Sequence, residues 1–588
     1  MHRCLTISEI LCAIIASLYD EGTFTETDPQ HWQRLTPLLP GDPWVYNSVP
    51  HLHQTSGQEA RRRNSTILAI ALTCRSFLEP ALDFLWETQD VRLLVTYLPP
   101  NIFDMRKDPQ SEYTRCIKWN VNRDIVAKDM DRFRYYSRRI RVLRMTSHAI
   151  IRELGPDGHI HDKVEEVEGL LLAAKKFFDE APALIPDFFP RIRTLELALC
   201  ASPSALGFEF ATLLSRHCQL RSLTFNLWYD WWTDLRRPRK WLPEETMHLR
   251  TLMQVAPLVK RVHVDYFPEE IRSVLQFPVP AILEERADME YLALPWFKPL
   301  HPSVLPHLAR FRDLRSLELG LLSPFYHFDD EPVEFTEVCP GSFPSLRVLK
   351  VALHGKGSWP MLSRFIRHAP LESLLITQRL CFHSSVDETL SLPPYDLPET
   401  LSVFSLVFED IPLSDSRIYR GDIVLSPSLF DPLLRLKNLQ ELVLSGYTEG
   451  IDFNDVFLYE LASALPRLRL LDVSMVNTGD RSSITTLGGL VALARACKEL
   501  SYIGMNVNQD AEDVLSSAWA DEPFMQVETL VVGYASSVTD HEAVAGFLKM
   551  MFPRLKTVSP LRSKPVGPPL RSSYLAWYKI QELFADSN

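Results

Sequence analysis

The chain has 588 residues, of which 46% are hydrophobic and 23% charged, which is ordinary for a soluble globular protein. Its formal net charge of −12 argues against a general nucleic-acid-binding protein, because such proteins carry a basic face. Its nine cysteines are scattered without a Cys-x-x-Cys pair, which supports neither a disulfide framework nor a zinc ribbon and favours a reducing compartment.

The first 90 residues predict a small helical module. Apolar residues recur at helical spacing through residues 1–19, and a second helical stretch covers residues 67–86. Between them, residues 20–64 are polar and contain five prolines, which predicts a disordered insertion. The two helical stretches carry more apolar side chains than one small core needs, so we expect a partner to cover some of them. Alternatively, these helices only cap the array that follows, since terminal repeats need a cap.

Residues 91–139 are expected to form a linker. From residue 140 onward one pattern recurs: an apolar residue, two free positions, an apolar residue, one free position and an apolar residue. The last two apolar residues have the spacing of a strand with one buried side, and the first fits a chain that turns into that strand. The copies begin at Ile140, Ile192, Leu220, Val259, Met289, Leu314, Leu346, Leu371, Leu401, Leu439, Leu468, Leu500, Val527 and, in part, Leu555.

From Ile192 the copies lie about 25 to 39 residues apart, which is the period of a solenoid whose units bury their apolar faces by stacking. Helical patterns and prolines precede several copies, as at Pro344 and Pro466, where proline ends a helix and begins an extended segment. We therefore predict a repeat array over residues 140–560, followed by a proline-rich tail and a short helix over residues 561–588. The alternative is an ordinary α/β domain with many βα units.

The repeats resemble an irregular leucine-rich-repeat array, and residues 7–11, 72–77 and 81–86 resemble the three helices of an F-box. More narrowly, the chain is similar to the F-box proteins abundant in mushroom-forming fungi, which often open with Met-His-Arg-Cys-Leu, as this chain does. The resemblance implies an α/β fold: a curved parallel sheet with outer helices, preceded by a small all-helical F-box.

The resemblance also implies a function. An F-box binds the adaptor protein of an SCF-type cullin-RING ubiquitin ligase, while the repeats bind a protein substrate. The adaptor-binding residues would be Ile7, Glu9, Ile10, Leu11, Ile14, Leu18, Leu72, Cys74, Phe77 and Trp86. The alternative is a protein-interaction scaffold whose N-terminal helices only cap the solenoid.

The residues that alternate with the buried ones in each strand would face the other side of the sheet and form an extended binding surface. We call this side the flanking face. Its mixture of charged, apolar and aromatic side chains suits contact with a protein. The candidate substrate-binding residues are Arg261, His263, Asp265, Tyr291, Glu318, Lys350, Leu375, Val403, Val443, Asp472 and Tyr502. Alternatively, a loop of the same chain covers the apolar members.

Other features favour binding over catalysis. The sequence contains no Gly-x-Ser-x-Gly elbow, phosphate-binding Gly-rich loop or His-Glu-x-x-His pair, so we expect no enzyme, no metal and no cofactor.

The tryptophans of residues 228–241 could form a binding ridge or fold back onto the array, and the basic run 236–240 could be a nuclear-import signal or a solvated loop. No apolar run could cross a bilayer, so we expect an intracellular protein, cytoplasmic and/or nuclear, that binds neither membrane nor nucleic acid.

Overall fold

The computed structural model describes about three fifths of the chain. The described residues are 64–73, 75–92, 97–107, 116–146, 148–154, 160–166, 168–199, 205–228, 243–267, 286, 288–294, 304–322, 341–354, 358–380, 397–410, 432–446, 454–473, 485–509, 523–533, 536–560 and 572–585. They fall into two compact units, which divide between Phe297 and Lys298. Among these residues, no helix combines the length and the apolar character that crossing a membrane requires.

The described residues of the first unit form a parallel sheet of six strands. Residues 64–73 are helical, and the first strand of the sheet follows soon after the next helix, Arg75–Leu85. The elements of this unit that belong to or pack around the sheet are α1 (Arg75–Leu85), β1 (Thr88–Asp90), α2 (Asp131–Ser137), β4 (Val142–Thr146), α3 (Glu168–Glu180), α4 (Ile185–Phe188), β7 (Thr194–Leu199), α5 (Ala205–His217), β8 (Ser222–Trp228), α6 (Pro243–Val255), β9 (Arg261–Phe267) and β10 (Tyr291–Ala293). The strand order is β1-β4-β7-β8-β9-β10, so strands that neighbour each other in the sheet also follow each other along the chain.

A second, four-stranded sheet lies in the same unit. Its strands are β2 (Phe103–Lys107), β3 (Cys116–Val121), β5 (His148–Leu154) and β6 (Ile160–Glu166), in the order β2-β3-β6-β5. The β2–β3 and β5–β6 pairs are antiparallel, whereas β3 and β6 are parallel. Two of these strands, β2 and β3, therefore lie in the span that the sequence predicts to be a linker, and β3 pairs with β6 from within the predicted array.

In the second unit, nine parallel strands lie within the described ranges. Its elements are α7 (Leu305–Leu308), β11 (Ser316–Leu322), β12 (Val348–His354), α8 (Ser358–Ile366), β13 (Ser373–Leu380), β14 (Val403–Asp410), β15 (Glu441–Gly446), α9 (Asp455–Ala464), β16 (Leu470–Asp472), α10 (Leu487–Ala496), β17 (Tyr502–Met505), β18 (Asn508–Gln509), β19 (Thr529–Val532), β20 (Ser537–Val538), α11 (His541–Met551), β21 (Thr557–Pro560) and α12 (Ser572–Ala585). The order β11-β12-β13-β14-β15-β16-β17-β19-β21 again follows the chain, and β18 pairs separately with β20.

The recurring pattern correctly locates the strands. In each copy from Ile140 to Val527 all three apolar residues are buried, and in the partial copy both Leu555 and Val558 are buried. The parallel register aligns equivalent positions, for example Leu317 with Leu349 and Leu349 with Leu374. Equivalent leucines therefore stack from strand to strand and form the core of each unit. The prediction of an α/β fold with a parallel sheet is confirmed.

Three helices of the second unit, α9, α10 and α11, begin at side-chain caps. Asn454 accepts a hydrogen bond from the Phe457 amide, Thr486 from the Gly488 amide, and Asp540 from two amides of α11. Each cap satisfies backbone donors that the first helical turn leaves free. The side chain of Asp455 also accepts hydrogen bonds from the amide and hydroxyl of Thr486, which joins the beginnings of α9 and α10.

The last helix is part of the folded unit. Trp577, Ile580 and Phe584 of α12 are buried against α11, β20 and β21. The ammonium of Lys549 in α11 donates to the Leu583 carbonyl over 3.0 Å. The helix predicted after the proline-rich tail thus covers the last strand of the sheet, as a terminal repeat requires.

Candidate protein-interaction surfaces

The helical segment 64–73 presents apolar side chains to solvent. Leu72 is 76% exposed and Leu68 is 49% exposed. Other residues of the same segment turn inward, because Ile67 and Ala71 form a small buried cluster with Ala81 of α1. The segment therefore has one face that packs within the chain and another whose leucines are available to a partner.

Hydrogen bonds and ion pairs join helix α1 to other parts of the first unit. The guanidinium of Arg139, only 4% exposed, donates to the carboxylates of Asp83 and Glu79. Arg191 donates to Asp83 over 3.0 Å, and the hydroxyl of Tyr135 donates to Glu79 over 2.8 Å. These bonds connect residues more than 50 positions apart in sequence, so they hold α1 against the segments that enter β4 and β7.

Trp86, predicted to bind an adaptor, lies inside the chain instead. It is 7% exposed and stacks on Tyr136 with ring centroids 4.4 Å apart, while Tyr97 contacts it edge-on at 4.9 Å. Its position is a correction to the sequence prediction, because an aromatic side chain that already fills an internal site offers little surface to a partner. Phe77 of α1 is half-buried.

Several predicted residues lie outside the described part of the chain. Among the adaptor-binding candidates these are Ile7, Glu9, Ile10, Leu11, Ile14, Leu18 and Cys74. The basic run 236–240 and the other tryptophans of residues 229–241 are also outside it. Asp265 lies in β9 and Trp228 in β8, but only their backbone is described.

In the first unit, the structure brings three substrate-binding candidates together on the flanking face. The guanidinium carbon of Arg261 lies 5.8 Å from the ring centroid of Tyr291, and the His263 ring meets the same tyrosine edge-on at 6.5 Å. Register explains the grouping, because Arg261 pairs with Tyr291 across β9 and β10, and His263 is two residues further along β9. The three side chains are partly exposed, so together they offer a cationic and aromatic surface.

In the second unit, the flanking face is only partly accessible. Glu318 and Lys350 face each other across β11 and β12 with 3.7 Å between carboxylate and ammonium, and Leu375 and Val403 are half-buried. Val443 and Asp472, however, are 1% and 0% exposed, which corrects their prediction as contact residues. Alternation correctly places them on this face, but exposure depends on tertiary packing, and their register neighbour Ser405 is buried as well.

Asp472 forms part of an internal polar site. The hydroxyl of Tyr502 donates to its Oδ2 over 3.2 Å, and burial beside this carboxylate raises the pKa of Tyr502 well above its usual value. Gly504, the register partner of Asp472, lies directly under the carboxylate, where there is no room for a Cβ. Tyr502 thus contributes a hydrogen bond to this internal site, and its side chain remains partly exposed.

The two cysteines whose side chains are described, Cys218 and Cys497, are poor nucleophiles. Burial raises the pKa of the Cys218 and Cys497 thiols to about 12, so both remain protonated near neutral pH. Within the described ranges, no three His, Cys, Asp or Glu side chains are grouped so that they could hold a metal ion.

The sequence predictions missed one charged feature, although it occupies a fixed position of the recurring pattern. In four successive copies of the pattern, the residue after the first apolar position is basic: Arg141, Arg193, Arg221 and Lys260. The structure places these residues side by side, each just before its strand, because the strands are parallel and in register. We call these four residues the basic row.

Comparison with known proteins adds no assignment. No protein-family model matches this chain, and no curated protein matches it. Support for a function therefore comes from the resemblance in the N-terminal residues and from the surfaces described above.

Proposed function

We propose that the protein is the substrate-recognition subunit of an SCF-type cullin-RING ubiquitin ligase. Its N-terminal helices bind the adaptor as an F-box, and the repeats form a leucine-rich-repeat solenoid that binds a protein substrate. Other subunits carry out ubiquitin transfer. The observation that carries this proposal is the exposure of Leu72 and Leu68 on a helical segment whose opposite face is packed inward.

A partner that covers Leu72 and Leu68 would gain the free energy of burying them. Burial of a leucine side chain contributes about 1.5–3 kcal/mol, and both leucines leave much of this contribution unused in the isolated chain. Leu78 of α1 is also 37% exposed. The ion pairs of Arg139 keep α1 in place, so a partner bound at this surface would be held rigidly on the first unit.

Adaptor capture tests the proposal. We expect the purified adaptor subunit to co-purify with the wild-type chain and capture to fall by about tenfold or more for Leu72→Asp, because a charge would be buried in an apolar contact. Val456→Asp is the matched control, since Val456 is 68% exposed on α9 in the other unit. It should leave capture unchanged.

Failure of the wild-type chain to capture the adaptor would contradict the proposal. So would equal capture by wild type and Leu72→Asp. A thermal melt of each variant would verify that loss of capture does not reflect unfolding.

The second candidate function is a protein-interaction scaffold whose N-terminal helices act only as a cap. The internal position of Trp86 and the contacts of Arg139 favour it, because both tie α1 to the first unit. Removal of residues 1–86 would then destabilise the first unit, and the adaptor would not be recovered with the wild-type chain.

A further inference from the structure

The basic row crosses the four central strands of the first unit's sheet. Backbone hydrogen bonds fix its register: the Arg193 amide donates to the Arg141 carbonyl, the Arg221 amide to the Arg193 carbonyl, and the Lys260 amide to the Arg221 carbonyl. Neighbouring strands are spaced by about 4.8 Å, so the four residues extend over about 14 Å. Arg141, Arg221 and Lys260 are exposed, and Arg193 is partly exposed.

The two ends of the basic row are neutralised. Arg141 pairs with Glu87 at 3.1 Å, and Lys260 pairs with Glu290 at 2.8 Å. Glu87 and Glu290 occupy the equivalent positions on the strands at either side of the basic row. Across the sheet, the six residues are therefore one acidic residue, the four basic residues and a second acidic residue. The acidic residues close the row on each side and limit its length.

The centre of the row has no such compensation. Arg193 donates only to neutral oxygens, the Ile192 carbonyl at 3.5 Å and the backbone and side-chain oxygens of Gln219 at 3.4 and 3.5 Å. Arg221 forms no side-chain hydrogen bond or ion pair with any described residue. Adjacent cations repel each other, so this arrangement does not contribute to the stability of the isolated chain. A bound anion would relieve the repulsion.

The repeat fold does not itself require basic residues there. In the second unit, the same register positions are mixed in charge and polarity: Arg315, Arg347, Glu372, Ser402, Gln440, Arg469, Ser501, Glu528 and Lys556. Several of these are paired with each other, as Arg347 is with Glu372 and Lys556 with Glu528. A run of four adjacent cations, of which the two central ones have no acidic partner among the described residues, is thus a feature of the first unit.

We propose that the basic row binds an acidic peptide segment, rich in Asp and Glu, of the protein's partner. A stretch of about 14 Å matches about four residues of an extended chain, which suits a short acidic segment. The formal net charge of −12 would repel a long polyanion such as a nucleic acid outside this narrow stretch. The inference rests on the proposed function for the role of the peptide, which would be the recognised part of the substrate.

Peptide binding tests this inference with the purified full chain in the absence of the adaptor. We expect fluorescein-labelled hexaglutamate to bind, hexaserine not to bind, and added salt to weaken the binding because the contacts are exposed. Arg193→Gln combined with Arg221→Gln should weaken hexaglutamate binding by about tenfold. Arg469→Gln combined with Lys556→Gln removes two cations at equivalent positions of the second unit and should leave binding unchanged.

Equal binding of hexaglutamate by the wild type and the Arg193/Arg221 variant would overturn the inference, as would equal losses in both double variants. It would also be overturned if oligothymidylate bound through the same arginines more tightly than hexaglutamate. Adaptor capture by the same proteins separates the two proposals. Peptide binding without capture would refute only the ligase assignment, and capture without peptide binding would refute only the acidic-peptide site.

Discussion

The guanidinium of Arg139 donates a hydrogen bond through Nη1 to the carboxylate of Asp83, although 56 positions separate the two residues. The arginine is buried just after α2, and the aspartate is on α1. Through its other terminal nitrogen Arg139 also reaches Glu79, so one side chain joins α1 to the first unit at two points. This relationship determines how firmly the N-terminal helices are attached.

Removal of the Arg139 charge should loosen α1. We expect Arg139→Met to destabilise this attachment by about 1–3 kcal/mol, because the carboxylates of Glu79 and Asp83 lose a buried partner but are themselves partly solvated. Hydrogen exchange in peptides covering α1 should then become about tenfold faster or more. Arg134→Met is the control, since Arg134 pairs with Asp187 where both side chains are more than half exposed. No change in α1 exchange for Arg139→Met would show that the ion pairs do not hold the helix.

The Glu79 contact should also depend on pH. The hydrogen bond from Arg139 is the main cause that lowers the pKa of Glu79 below its ordinary 4.5. Because the folded pKa lies below the unfolded one, this stabilisation is fully present above 4.5 and is lost as the pH falls through the folded pKa. We expect the difference in thermal stability between wild type and Glu79→Gln to be constant near neutral pH and to shrink in acid. A difference in thermal stability that grows as the pH falls would contradict a lowered pKa of Glu79.

Gly504 should not tolerate a side chain. A Cβ at this position would lie 2.5 Å from Oδ1 and 2.8 Å from Cγ of Asp472, which is fully buried. We expect Gly504→Ala to destabilise the second unit by about 1–3 kcal/mol because the carboxylate must move from its site. Gly546→Ala provides the contrast: nothing lies within 4 Å of its Cβ position in α11, and alanine should stabilise that helix by up to about 1 kcal/mol. Urea unfolding followed by hydrogen exchange in each region would measure both effects, and equal behaviour of the two variants would contradict this account.

The contact of α12 with the last strand should be essential to the second unit. Trp577 is fully buried, so Trp577→Ala should cost about 3–5 kcal/mol and increase hydrogen exchange in β21. Leu575 on the same helix is 49% exposed, and Leu575→Ala should change stability by about 0.5 kcal/mol or less. Unchanged exchange in β21 after the tryptophan substitution would mean that α12 does not cover the sheet.

Local pattern predicted the strands because it depends only on neighbouring residues. The spacing of Leu314, Leu317 and Leu319 places two side chains on one side of an extended strand and the third at its turn, and the structure buries all three. Repetition of that spacing then implied that the copies stack, and the resemblance to leucine-rich repeats implied parallel pairing, which the register of β11, β12 and β13 confirms. The basic row was readable in the same way, since it occupies one fixed position of the pattern.

The tertiary structure alone decided which of these side chains a partner can reach. Val443 and Asp472 alternate with core residues as Glu318 does, yet they are buried, and Trp86 fills an internal aromatic site. The pairing of β3 with β6 and the contacts of Arg139 with α1 also join residues far apart in sequence. Alternation assigns a side chain to one face of a strand, whereas its burial depends on what distant segments pack against that face, which no local pattern contains.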